Sequence, residues 1–198
     1  MRKKTLVCIP SRSVGYSRTW FHFTIMIAHC VSKGAFVHPY NPESTPPEVN
    51  RNLGINKMYE EKCDQLLYID ADQTFPADLL FRLESHKKEV VGVNCKRRVP
   101  PFNPVMTKDI FGKPLNYKKK PLVKMDKIGF AATLIQKEVF DAMPDFMFHR
   151  KILTRTTWIG EDYIFCEAAR KAGFHVYCDL ALSQQIGHIA EEVHFLGE

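Results

Sequence analysis

The stretch Leu66-Leu67-Tyr68-Ile69-Asp70-Ala71-Asp72-Gln73-Thr74-Phe75-Pro76 constrains this chain more than any other. An apolar run ends abruptly in two carboxylates one residue apart. That pattern reads as a buried strand running into a polar edge. In an extended chain residues i and i+2 point to the same side. Asp70 and Asp72 are therefore expected to aim at one point just beyond the strand end. Two converging carboxylates suit a hard divalent cation, and such a cation suits a diphosphate. The plainer reading is that both aspartates close a strand and cap the helix after it, since short motifs often match by accident.

The rest of the chain supplies a setting for that stretch. Lys4 to Pro10 reads as a first strand, and Tyr16 to Lys33 as a helix stopped by Gly34. A second strand is expected from Ala35 to Asn41, then a proline-marked loop and a helix from Glu48 to Cys63. The strand from Asp64 to Asp72 follows. Pro76 fits the first turn of the next helix, where no amide donor is needed. Val90 to Asn94 is another strand. Strand and helix alternate throughout, which predicts an α/β sheet of mostly parallel strands flanked by helices. Ligands of such sheets gather at the carboxyl ends of the strands. Pro10-Ser11-Arg12, Tyr40-Asn41 and Asp70 to Asp72 all fall there.

Lys96 to Lys127 breaks this rhythm. It holds ten Lys/Arg and two Asp, a local balance of +8 in a chain of net charge +6. The remainder is therefore slightly acidic, and the basicity belongs to one segment. Such a segment can hold an anionic partner, or it can be a solvated lysine-rich loop. Its prolines suggest an excursion with short strands, such as Pro104 to Met106. Beyond it, order resumes from Ile128 to Ile135, with a short helix from Lys137 to Met143. Trp158-Ile159-Gly160-Glu161-Asp162 leads into a helical pattern stopped by Gly173, and Phe174 to Asp179 reads as a strand.

The length of 198 residues suits one domain. It divides into 1–95, the basic excursion 96–127, and 128–198. No apolar run spans a bilayer, and the apolar stretch from Leu6 to Ile9 is too short for a signal peptide. The six cysteines stand singly, without a C-x-x-C pair, which argues against a zinc ribbon. A cytoplasmic protein with reduced thiols is expected.

Taken together, these residues resemble the GT-A fold nucleotide-sugar glycosyltransferases, in particular the large family-2 type. The resemblance runs from about Lys4 to Ile189. Val49-Asn50-Arg51-Asn52 is similar to the arginine–asparagine element before the D-x-D strand. Asp70-Ala71-Asp72 is similar to the D-x-D itself, Gly160-Glu161-Asp162 to the x-E-D motif, and His188 to the late histidine of the metal site. The resemblance implies a single GT-A, Rossmann-like domain, with 1–95 as the nucleotide-sugar half and 128–198 as the acceptor and catalytic half. It implies an inverting transfer of sugar from a nucleoside-diphosphate sugar, a UDP-sugar, to a hydroxyl acceptor. Asp162 would be the base, with Glu161 orienting the acceptor or the loop.

The same resemblance implies Mn2+ or Mg2+ held by Asp72 and His188, with Asp70 direct or through water. Oxygen ligands with one imidazole tilt the choice toward manganese. Pro10, Ser11, Arg12 and Asn41 would meet the nucleotide, and Arg51 the diphosphate or its loop. Many relatives have an aspartate immediately before the D-x-D. Here that position is Ile69, so Asp70 with Ala71 would serve the ribose, the metal, or both.

Lys96, Arg97 and Arg98 are the candidate acceptor contacts, for a glycan or for nucleic acid bearing a hydroxylated base. Two other readings stand beside this one. A nucleotidyltransferase could use similar metal carboxylates, although Ser11 to Gly15 offers a single glycine where a phosphate loop would want several. A non-catalytic protein could bind nucleic acid or another anionic polymer through the basic segment.

Overall fold

The computed structural model describes residues 3–11, 15–43, 46–118, 121–143 and 147–189. The first strand, β1 (Lys4–Cys8), carries Leu6, Val7 and Cys8 with no exposed surface. Burial on both faces is what a central strand of a helix-covered sheet requires. Helix α1 (Ser17–Ser32) turns Met26 and Cys30 inward, and the chain turns away just beyond it at Gly34, whose φ of 70° suits a residue without Cβ. Strand β2 (Phe36–Tyr40) then pairs parallel to β1. Helix α2 (Pro47–Glu60) has proline in its first turn and returns the chain to β3 (Gln65–Ile69), all five residues of which are buried.

Beyond β3 come β4 (Gln73–Thr74), α3 (Leu79–Ser85) and β5 (Val90–Gly92). The C-terminal half contributes β6 (Leu122–Met125), β7 (Ala132–Gln136), α4 (Lys137–Asp141) and the small hairpin of β8 (Lys151–Ile152) and β9 (Trp158–Ile159). It closes with α5 (Glu161–Lys171), β10 (Val176–Asp179), α6 (Leu180–Ser183) and β11 (Gly187–His188).

Seven strands form one sheet in the order β2-β1-β3-β7-β5-β10-β6. Five run in one direction; β7 and β6 oppose them. Strand β7 sits between β3 and β5, so the two halves of the chain share one sheet. Helices cover both faces. One core packs α2, α4 and α5 over Tyr68, Phe130, Phe140, Phe148 and Phe165; the other packs α1 and α3 over Val7, Leu67 and Ile69. This is the expected single α/β domain with a mostly parallel central sheet. The carboxyl ends of β1, β2, β3, β5 and β10 lie along one edge, and the candidate residues gather there.

Several expectations need correction. Strand β3 ends at Ile69, so Asp70 and Asp72 lie on a turn and not within an extended strand. Strand alternation therefore does not explain where they point. The turn is closed by Gln73 N donating to Asp70 O at 3.3 Å. Pro76 does not open α3, which begins at Leu79; its carbonyl accepts from Leu79 N at 3.2 Å.

The basic segment is not wholly an excursion either. Its end is β6, antiparallel to β10 at the edge of the main sheet. Val123 and Met125 alternate inward there, while Lys124 points outward. The expected strand from Pro104 to Met106 reduces to a single bridge, Lys96 to Pro104. No helix of the described residues is long and apolar enough to cross a membrane. All six cysteines are free, and five of them are buried.

Candidate active site

Arg51 lies at the base of the site. It sits on α2 with its guanidinium 5.0 Å from the Phe130 ring centroid, 5.7 Å from Tyr68 and 5.9 Å from Phe148. Its side chain is 5% exposed. A charge buried this deeply needs partners. Arg51 Nη2 donates to Asp70 Oδ1 at 2.9 Å, and Nε donates to Glu161 Oε1 at 3.2 Å. One guanidinium thereby ties the turn after β3 to the start of α5. Burial works against the Arg51 charge, but Asp70, Glu161 and Asp162 outweigh it and push its pKa up. Nη1 is buried and has no partner among the described residues.

Two carboxylates near Arg51 are raised by burial. Burial pushes Asp70 up to about 6 against the pull of Arg51, with Asp72 and Asp162 adding to the rise. Even so, its side chain keeps 34% of its surface open. Asp162 is also pushed up, by burial first, against the pull of Arg51 and with help from Glu161. Asp162 Oδ1 accepts from Tyr163 N at 2.8 Å. The glycine before Glu161 is needed for this conformation: a Cβ at position 160 would lie 2.7 Å from Asp162 Oδ1.

Asp72 belongs to a second group. Strands β4 and β11 pair antiparallel, with Gln73 opposite His188. That pairing brings His188 Nε2 to 3.4 Å from Asp72 Oδ2. Arg98 Nη2 reaches the same oxygen at 3.1 Å. Burial opposes the Asp72 charge, but His188 and Arg98 outweigh it and hold the carboxyl below its ordinary value. His188 is pushed up to about 10, chiefly by its bond to Asp72. His188 Nδ1 lies 2.6 Å from the carbonyl of Lys96. A carbonyl can only accept, so Nδ1 carries the hydrogen. Without a second proton, Nε2 then offers its lone pair on the side of Asp72.

Pro10, Ser11, Asp70, Ala71, Asp72 and His188 line one pocket of about 460 Å3, together with Tyr16 and Arg98. Asn41 stands behind this wall: Ser11 Oγ donates to its Oδ1 at 2.8 Å, and Asn41 Nδ2 donates to Glu43 at 3.1 Å. Arg12 lies outside the described residues. Lys96 and Arg97 line a neighbouring cavity of about 740 Å3 with Phe102, Pro104, Tyr117 and Ile186, and His188 borders both spaces. Arg98 thus parts from its two basic neighbours and joins the carboxylates.

The donor set fits a divalent cation in part. Two ligands about 2.1 Å from one ion stand roughly 3 Å apart, so the Asp72–His188 spacing suits a shared cation. Fixing a ligand histidine through a backbone carbonyl is also usual at such sites. Among the described residues, however, no three His, Cys, Asp or Glu side chains converge as a ready cage. Asp70 is turned toward Arg51.

Sequence reasoning did not single out Asn50, whose amide donates to the Ser11 carbonyl at 2.9 Å. Nor did it find Asn94, which holds Met106 and Tyr117 and so fastens the basic segment to β5. Both are buried polar residues. In the sequence Asn50 shows only as part of the Val49-Asn50-Arg51-Asn52 element, and Asn94 only as the end of a strand.

No protein-family model matches the sequence, and no curated protein matches it. Solved structures do match the fold. A mutant of Drosophila β1,4-galactosyltransferase 7, crystallised with manganese, UDP-Gal and xylobiose, superposes with a TM-score of 0.58 at 15% identity, over 98% of this chain and 77% of that one. A197 from STIV superposes with a TM-score of 0.56 at 16% identity, over 98% of each chain. The chain therefore has the GT-A-like fold.

Proposed function

We propose that this chain is an inverting, metal-dependent glycosyltransferase of the family-2 type. It would move sugar from a UDP-sugar to a hydroxyl on an acceptor glycan. The observation that carries this reading is the pocket at the strand ends. There Ser11, Asp70, Asp72 and His188 share one space, and Arg51 links Asp70 to the Glu161–Asp162 pair. The manganese, UDP-Gal and xylobiose of the galactosyltransferase crystal support the cation, the donor and the kind of acceptor.

Asp72 and His188 would hold the cation, which supplies positive charge against the diphosphate as it leaves. The chain's own residues do the rest. Pro10 and Ser11 form the floor for the nucleotide, and Asn41 with Asn50 fixes Ser11 from behind. Asp162 takes the proton from the acceptor hydroxyl. Its raised pKa makes it a better proton acceptor than an ordinary carboxylate once ionised. Arg51 holds Glu161 next to it, at a fixed distance from Asp70. Attack from the side opposite the diphosphate gives inversion. Lys96 and Arg97, with Phe102 and Tyr117, would form the acceptor side.

The test is a screen of sugar nucleotides for hydrolysis in Mn2+, repeated with glycan and with DNA acceptors. Nucleoside diphosphate released from a UDP-sugar, with sugar transferred to a glycan, is the expected result. Pyrophosphate released from a nucleoside triphosphate would point to nucleotidyl transfer. Folded protein that turns over no donor in manganese would sink the reading.

A further inference from the structure

The donor pocket contains a positive group for which the transfer chemistry above has no use. The position of Arg98 in the sequence places it with Lys96 and Arg97, yet its guanidinium lines the pocket of Ser11, Asp70, Asp72 and His188. It donates to Asp72 Oδ2 at 3.1 Å, the oxygen that His188 Nε2 also meets. The backbone around Arg98 is closed at its base. Arg97 N donates to Asn103 O at 2.9 Å, Val105 N to Cys95 O at 2.8 Å, and His188 Nδ1 to Lys96 O at 2.6 Å. The loop is thus pinned beside the pocket, while the Arg98 side chain is 55% exposed and can take another acceptor within its own reach.

We propose that Arg98 is a diphosphate-binding residue that changes partner during binding. In the free protein it neutralises Asp72. Arg98 would release that carboxylate where Asp72 and His188 hold a divalent cation, because a doubly charged ion competes with a single guanidinium charge for one oxygen. The freed fork then donates to phosphate oxygens, whose spacing it matches better than any other side chain does. Arg98 therefore adds to the charge the cation sets against the diphosphate, and favours ligands with two phosphates over those with one. The inference rests on the glycosyltransferase reading only in taking a diphosphate as the ligand.

Titration calorimetry on the full chain tests it, with Mn2+ alone and then with inorganic pyrophosphate in saturating Mn2+. Arg98→Ala should bind Mn2+ alone about threefold more tightly, as loss of an exposed ion pair allows. It should bind pyrophosphate about tenfold more weakly, as loss of a charge-assisted hydrogen bond predicts. Arg98→Lys should fall between the two proteins. Matching melting curves will show that the exposed substitution leaves the fold intact. Unchanged affinity for either probe overturns the proposal, even in a protein that transfers sugar. Arg98-dependent binding of both probes, in a protein that turns over no sugar nucleotide, keeps the proposal and removes the glycosyltransferase reading. A wild-type protein that binds neither probe overturns both.

Discussion

A guanidinium that is 5% exposed stays charged because Asp70 and Glu161 lie 2.9 and 3.2 Å away. Arg51→Met would leave both carboxylates without their counter-ion. Removing one partner of a buried pair costs about 3 kcal/mol, and urea unfolding should show a loss of that size. Arg51→Met combined with Asp70→Asn should recover part of it. A single-variant loss near zero would mean that the aromatic box alone holds α2 in place. Asp162 makes a separate prediction. It must be ionised to take a proton, and burial holds its pKa above the ordinary value. Turnover should therefore fall as pH drops, along a limb centred above the ordinary aspartate value. Asp162→Asn should abolish that limb, lower kcat by about 10²- to 10⁴-fold and leave UDP binding intact. A limb at the ordinary carboxylate position would count against Asp162 as the base. The places of Asp70 and Asp72 after a strand and of Asp162 at a helix start were legible in the sequence, and His188 entered only through the family resemblance. The role of Arg51 was not legible. It is fixed by rings from Tyr68, Phe130 and Phe148, which meet only when β3 and two distant segments pack together.

Among the elements, the longer helices and the apolar strands of the main sheet were legible, and the short pairings were not. The helices α1 and α5 show apolar residues at helical spacing, and β1 and β3 are continuous apolar runs. Two-residue strands such as β4 and β11 have no period to detect, although they set His188 beside Asp72. Strand β6 was hidden by the lysines that surround Val123 and Met125. The packing of α2 on the sheet gives a test at this scale. Gly54 faces β1 and β3, where an added Cβ would lie 3.0 Å from Cys8 Sγ and 3.0 Å from Tyr68 Cε1. Tyr68 cannot move aside freely, because its hydroxyl donates to the Arg51 carbonyl at 2.5 Å. Alanine improves helix propensity by about 1 kcal/mol over glycine, but overpacking at a rigid contact costs about 1 to 3 kcal/mol. Gly54→Ala should therefore destabilise the protein on balance. It should also weaken UDP binding, since lifting α2 draws Arg51 away from Asp70. A stabilised variant with unchanged UDP affinity would show that the α2 contact yields.

At the scale of the molecule, the pocket is assembled from segments far apart in the chain. The end of β1, the turn after β3, the loop after β5 and strand β11 each contribute a wall. An unfolded chain brings none of these together, so a ligand of this pocket binds the native state alone. It then stabilises the fold by RT ln(1 + [L]/Kd), about 2.7 kcal/mol when the ligand is at a hundred times its Kd. For a domain of 198 residues, each kcal/mol raises Tm by about 2 to 4 °C. UDP with Mn2+ at that excess should therefore raise Tm by about 5 to 10 °C. The shift should shrink at high salt, because the pocket is open to solvent and its contacts with a diphosphate are ionic. Asp72→Asn should remove most of it, and should also lower the Tm of the free protein, since it breaks the pairs with His188 and Arg98. Differential scanning fluorimetry checks all three outcomes in one plate. A Tm that ignores UDP and Mn2+ together would mean that these strand ends do not form a nucleotide site, whatever the fold suggests.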